Sequence, residues 1–108
     1  MAKFMTIGYG DQQGYDRTDP AVRDRAHAHD ARLRASGVEA AMAGSPVQVR
    51  NHAESGPTVQ DGPFMTAALP VAGFAVIEAE TLDEAVALAS ATPCAVAYGV
   101  VEVWPLRD

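Results

Sequence analysis

Asp61 and His29 are the two side chains of this chain best suited to moving a proton. Asp61 opens a tight Asp61-Gly62-Pro63-Phe64 turn between two β-type segments. A carboxylate held there could orient a ligand, or act as a general base if burial raised its pKa. The same residue before a glycine is also suited to accepting hydrogen bonds from the backbone of its own turn. His29 falls on the inward stripe of a helix and would titrate near neutrality. It serves equally as an acid–base group or as a hydrogen-bonded core or interface histidine. Phe64 and Tyr98 are the aromatic candidates for ligand contact, Phe64 also fitting a core or dimer contact and Tyr98 an interface.

Other chemistries fit the residues poorly. His27 and His29 project about 200° apart on a helix and cannot share one metal ion. His52 lies on a distant turn, and no zinc or iron site is expected. The lone Cys94 follows a proline with no histidine beside it and reads as a small buried residue rather than a nucleophile. Gly8-Tyr9-Gly10 with Gly14 has the wrong spacing for a dinucleotide loop, so neither a nucleotide nor any other cofactor is expected. Glu102 alternates with valines on a terminal strand, which points to solvent or a cross-strand ion pair.

The elements that must position these groups are readable from pattern. Lys3 to Tyr9 reads as a strand, and residues 10–18 as a polar loop. Asp19-Pro20 caps a helix that runs to about Ser36 and ends at Gly37. Val22, Ala26, His29, Leu33 and Ser36 share its inward stripe, with His27 on the far side. Val38–Met42 and Val47–Arg50 look like two strand pieces joined through Gly44-Ser45-Pro46, with a short strand at Pro57–Gln60. Gly73–Ala79 is the clearest strand. Thr81-Leu82-Asp83-Glu84 is a capping box opening a helix that Pro93 should stop, and Gly99–Leu106 is the last strand.

The order β-α-β(ββ)-β-α-β predicts an α+β fold of the ferredoxin-like, split-βαβ kind with an extra hairpin. Both helices should cover one face of an antiparallel sheet. The other face, carrying Met5, Ile7, Ala75 and Ile77 or their neighbours, must find cover, and a second copy of the chain is the simplest.

At 108 residues the chain is expected to form a single domain, residues 1–108, with 48% apolar and 20% charged residues. The net charge of −6 is uneven: +1 over residues 16–34 and −7 from residue 35 onward. An acidic chain without a basic, aromatic-interleaved stripe excludes direct nucleic-acid binding. No apolar run is long enough to span a membrane. With no secretory pattern at the start and a single cysteine, a cytoplasmic location is expected.

Four segments in register carry a family resemblance. Asp61-Gly62-Pro63-Phe64, Gly73-Phe74 opening a strand, Leu82 to Ala85 opening a helix, and Tyr98-Gly99-x-x-Glu102-Val103-x-Pro105 resemble the YCII-related proteins, and within them the DGPF-domain branch. The resemblance implies a dimeric α+β barrel, and for some members an association with sigma factors. It also implies, for the better-described members, a His–Asp acid–base pair in a cleft. That pair does not carry over: the histidine position falls near Ala26, and the aspartate position is Thr92 before Pro93. The branch motif usually continues Glu-Thr-Lys-Glu, whereas here Met65-Thr66-Ala67-Ala68 keeps only the threonine. The sequence therefore points to a homodimer that binds a small organic ligand in a cleft near His29, Asp61, Phe64 and Tyr98, or acts as a regulatory module. The alternative is a metal-independent acid–base enzyme using His29 and Asp61.

Overall fold

A computed structural model describes residues 1–107. Strands β1 (Ala2–Tyr9), β2 (Glu39–Met42), β5 (Val71–Ala79) and β6 (Val100–Pro105) form an antiparallel sheet in the order β2-β5-β1-β6. The crossover from β1 to β2 runs through helix α2 (Pro20–Ala35) and leaves room for β5 between them, the split-βαβ arrangement expected. Helix α3 (Leu82–Ser90) makes the second crossover. Both long helices lie over the face carrying Thr6, Ala75 and Ile77: Leu33 of α2 and Leu88 and Ala89 of α3 close on these residues.

Local chemistry sets the helix ends. Asp19 accepts from Ala21 N at 2.8 Å ahead of Pro20, and Thr81 accepts from Glu84 N at 3.1 Å. The Glu84 carboxylate returns to Glu80 N, one residue before the cap rather than at it. Two short helices were not expected. Residues 10–18 contain α1 (Gln12–Asp16), because Asp11 caps Gly14 N at 2.9 Å and supplies the nucleus that a polar composition concealed. Pro93 does not merely stop α3; it opens the single-turn helix α4 (Pro93–Val96), a position its fixed φ favours.

The helix-side core is small and alanine-rich. Phe4, Ile77, Ala79 and Ala85 form its centre, with Val38, Leu88 and Val103 packed around them. Strand register assigns the opposite face. Met5 lies across from Val76 and Trp104, and Ile7 across from Phe74 and Glu102. Phe74 and Val76, rather than Ala75 and Ile77, therefore share that face with Met5 and Ile7. The expectation was one residue out of phase on β5, which sequence alternation without a register cannot settle. Among the described residues neither long helix covers this open face; Ile7 and Tyr9 are buried on it, while Phe74, Val76, Val100 and Trp104 are exposed.

The expected extra hairpin exists but stands apart. Strands β3 (Val47–Arg50) and β4 (Thr58–Asp61) pair only with each other, in a second sheet. Val38–Met42 and Val47–Arg50 are thus not pieces of one sheet, since the Gly44-Ser45-Pro46 link turns the chain away from it. The hairpin gives the molecule extents of 52 × 36 × 21 Å and a radius of gyration of 15.8 Å. A compact chain of this length would have about 13 Å.

Candidate functional site

The sequence-predicted residues occupy three separate places. His29, half-buried on α2, has its Nε2 2.8 Å from the Leu88 carbonyl oxygen on α3. That contact ties the two helices together and occupies one ring nitrogen. Asp61 ends β4 on the outlying hairpin, exposed, opposite Val47. Among the described residues its carboxylate accepts no hydrogen bond, neither from its own turn nor from His29. The turn is shaped instead by Gly62, whose φ of +98° disfavours any side chain, and by Gly62 N donating to Pro46 O at 3.1 Å.

Phe64 is 77% exposed, and so not part of the protomer's core. The Arg50 guanidinium lies 5.9 Å from its ring centroid, within cation–π range. Gln48 Nε2 donates to Gly62 O at 3.2 Å, and its Oε1 accepts from Arg50 at 2.8 Å. These groups border an open cleft of about 310 Å³ on the hairpin, walled by Pro46–Arg50 and Gly62–Phe64. Tyr98 lies elsewhere, at the end of α4, with φ +61°. It takes the left-handed position that usually terminates a helix with glycine, at a cost on the order of 1 kcal/mol. Arg17 stacks on its ring at 3.8 Å.

A second cleft lies between the helices and the sheet. It holds only about 30 Å³, room for about one water, and its polar lining is Thr6, Asp30 and Thr92. Ala26 beside it is buried, and Asp30 pairs with Arg34 at 3.4 Å. Cys94, expected to be buried, is only half-buried and sits close to Gly8. Burial and, secondarily, the Asp30 charge push its thiol pKa up, which keeps it protonated and unreactive.

The polar pair that sequence reading missed lies on the open face. Tyr9 donates its hydroxyl to Glu102 Oε1 at 2.5 Å. Glu102 faces Ile7 across the β1–β6 ladder and Tyr9 faces Val100, so the two are diagonal neighbours on one face. Alternation placed Glu102 on a face; only the register could supply its partner. This bond raises the Tyr9 pKa, with desolvation and the carboxylate charge adding to it.

The sign of the consequence is fixed. Above about pH 10 the unfolded chain releases the Tyr9 proton while the folded chain retains it, so stability falls as pH rises. Below that pH the contribution is fully present. A spectrophotometric titration of the three tyrosines should show one titrating late, and Tyr9→Phe should remove that step and flatten the alkaline loss of stability. Three tyrosines titrating together would contradict the bond.

Compared with protein-family models, the chain matches the YCII-related domain over residues 2–108. No curated protein sequence matches it. No helix is long and apolar enough to cross a membrane among the described residues.

Proposed function

We propose that this chain, which belongs to the YCII-related family, works as a homodimeric binding module. The uncovered faces of two sheets close on each other around a small organic ligand. The observation that carries this reading is the open face itself: Phe74, Val76, Val100 and Trp104 exposed around the Tyr9–Glu102 pair. Contiguous apolar surface of this kind marks an interaction site, and a polar pair within it is the arrangement that fixes ligand orientation. Glu102 keeps a second oxygen free of protein partners among the described residues, and the neighbouring rings favour a cationic or N–H-bearing head.

Binding is preferred to acid–base catalysis on two grounds. The family resemblance puts Ala26 and Thr92 at the proton-transfer positions, and the helix-side cleft that Thr92 lines has too little volume for a substrate. Within one protomer, His29 is committed to Leu88 while Asp61 stands on the hairpin.

Trp104 is the only tryptophan, so its fluorescence reports the open face alone. Sedimentation should show a dimer at micromolar concentration, with Trp104 emission moving to the red on dilution. A monomer at about 100 μM would overturn the dimer. Benzylamine, a ring with an ammonium head, should quench Trp104 saturably at millimolar concentration, and Glu102→Gln should abolish that quench. Unsaturable quenching, or quenching unaffected by Glu102→Gln, would overturn the assignment of the chamber.

A further inference from the structure

We infer that residues 43–70 are an arm that closes over the second copy and completes its binding chamber; this rests on the dimeric reading above. The arm is anchored to the body at its root, through Ala43 N to Ala72 O at 2.8 Å and Gly10 N to Pro70 O at 3.0 Å. Beyond the root, β3 and β4 pack on each other and not appreciably on the body. A two-stranded hairpin alone is marginal in water, so this one needs a surface to lie against.

Its two faces differ in character. Val49 lies across from Val59, with Val47 on the same side, and all three are exposed. Gln48, Gln60, Arg50 and Thr58 form the other face and bond among themselves. Valines bared on a hairpin that packs mainly on itself among the described residues are a surface made for something outside it.

Area decides in favour of a second copy. A stable interface buries about 800 Å² per partner. Taking about 150–250 Å² for a large side chain, the exposed fractions of Phe74, Val76, Val100 and Trp104 supply only roughly 300–450 Å². Val47, Val49 and Val59 on the arm's apolar face add roughly 300–450 Å² by the same measure. The open face alone falls short of a stable dimer, and the two surfaces together reach it. Each copy carries both surfaces, so a two-fold axis satisfies arm and face at once, twice over. The arm then brings its valine face, with Asp61 across from Val47 at its edge, against the partner's open face and supplies the wall that face lacks.

Energy transfer between copies tests this. Ser55→Cys on the arm tip, in a chain that also carries Cys94→Ala and Trp104→Phe, is labelled with the dansyl-type acceptor IAEDANS. It is then mixed with the unlabelled parent protein. Trp104 is then the donor on one copy only, and quenching of its emission in mixed dimers is the expected result. Separately, the V49D/V59D chain should fold normally, since these side chains touch no core, and its dimer Kd should rise at least about tenfold. A dimer by sedimentation without energy transfer, or one that V49D/V59D leaves unchanged, overturns the arm and leaves the dimeric reading standing. A monomer under all conditions overturns both.

Discussion

Phe74→Asp should leave the protomer folded and raise the dimer dissociation constant by at least about tenfold. Phe74 sits on the central strand β5, across from Ile7, and points away from the Phe4–Ile77–Ala79–Ala85 core. The fold gains little from it, because it is 40% exposed in the isolated protomer. Burying such a side chain at an interface contributes about 1.5–3 kcal/mol. Only the 40% still exposed is left to bury, so two copies together gain roughly 1–2.5 kcal/mol, or about tenfold to sixtyfold in the dissociation constant. A carboxylate in its place would also face desolvation without a partner, and it would join Glu102 on the same face. Sedimentation of the variant across a concentration series measures the shift, and far-ultraviolet circular dichroism checks that the protomer survives. A variant that dimerises like its parent would place the interface elsewhere.

The same substitution made three residues along β5, at Ile77, would have a different consequence. Ile77 is 3% exposed on the helix side, so a polar residue there damages the fold rather than the assembly. The two faces of β5 thus separate stability from association along a single strand.

How much of this was legible depends on what each feature rests on. The strand and helix order, the Thr81 cap, the Asp19-Pro20 start and the family were readable, because each is carried by a local pattern of residue types. The two short helices escaped because a single capping aspartate, Asp11, and a helix-starting proline, Pro93, outweigh a polar or loop-like composition. The Tyr9–Glu102 bond escaped because it joins residues 93 apart, and a strand sequence gives alternation but not register. The detachment of β3–β4 escaped for a related reason. Val47, Gln48 and Val49 alternate as they would in the main sheet, and nothing local says which sheet they join. Motif position says nothing of pairing for Asp61 and His29: His29 bonds to Leu88 on α3, while Asp61 ends β4 in the separate two-stranded sheet.

The largest stability effect should come from Gly99→Ala, at the junction that sets the Tyr9–Glu102 register. A methyl group at Gly99 would collide with the Tyr9 carbonyl oxygen and come within 2.6 Å of the Cys94 carbonyl oxygen. Both obstacles are backbone, and both are held in place. Gly99 N donates to Cys94 O at 3.0 Å, and Tyr9 is paired with Val100 in the β1–β6 ladder. Relief therefore requires the start of β6 to move off β1, at a cost of about 3 kcal/mol. For a domain of this length that lowers the melting temperature by roughly 10–20 °C at fixed protein concentration. Two nearby glycines set the scale. At Gly8 the added carbon meets the Cys94 Sγ at 2.9 Å, so Gly8→Ala should cost less, and Cys94→Ala should recover part of the loss. At Gly10 the nearest atom is the same Sγ at 3.6 Å, an ordinary contact, and Gly10→Ala should be near neutral. Melting curves in the order Gly10→Ala, Gly8→Ala, Gly99→Ala follow from that ranking of obstacles, and an equal effect at all three would contradict it. Because Glu102 lies only three residues beyond Gly99, the last variant should also release Tyr9 from its carboxylate partner. The Tyr9 titration would then move back to lower pH, coupling the packing of one glycine to the polar centre of the open face.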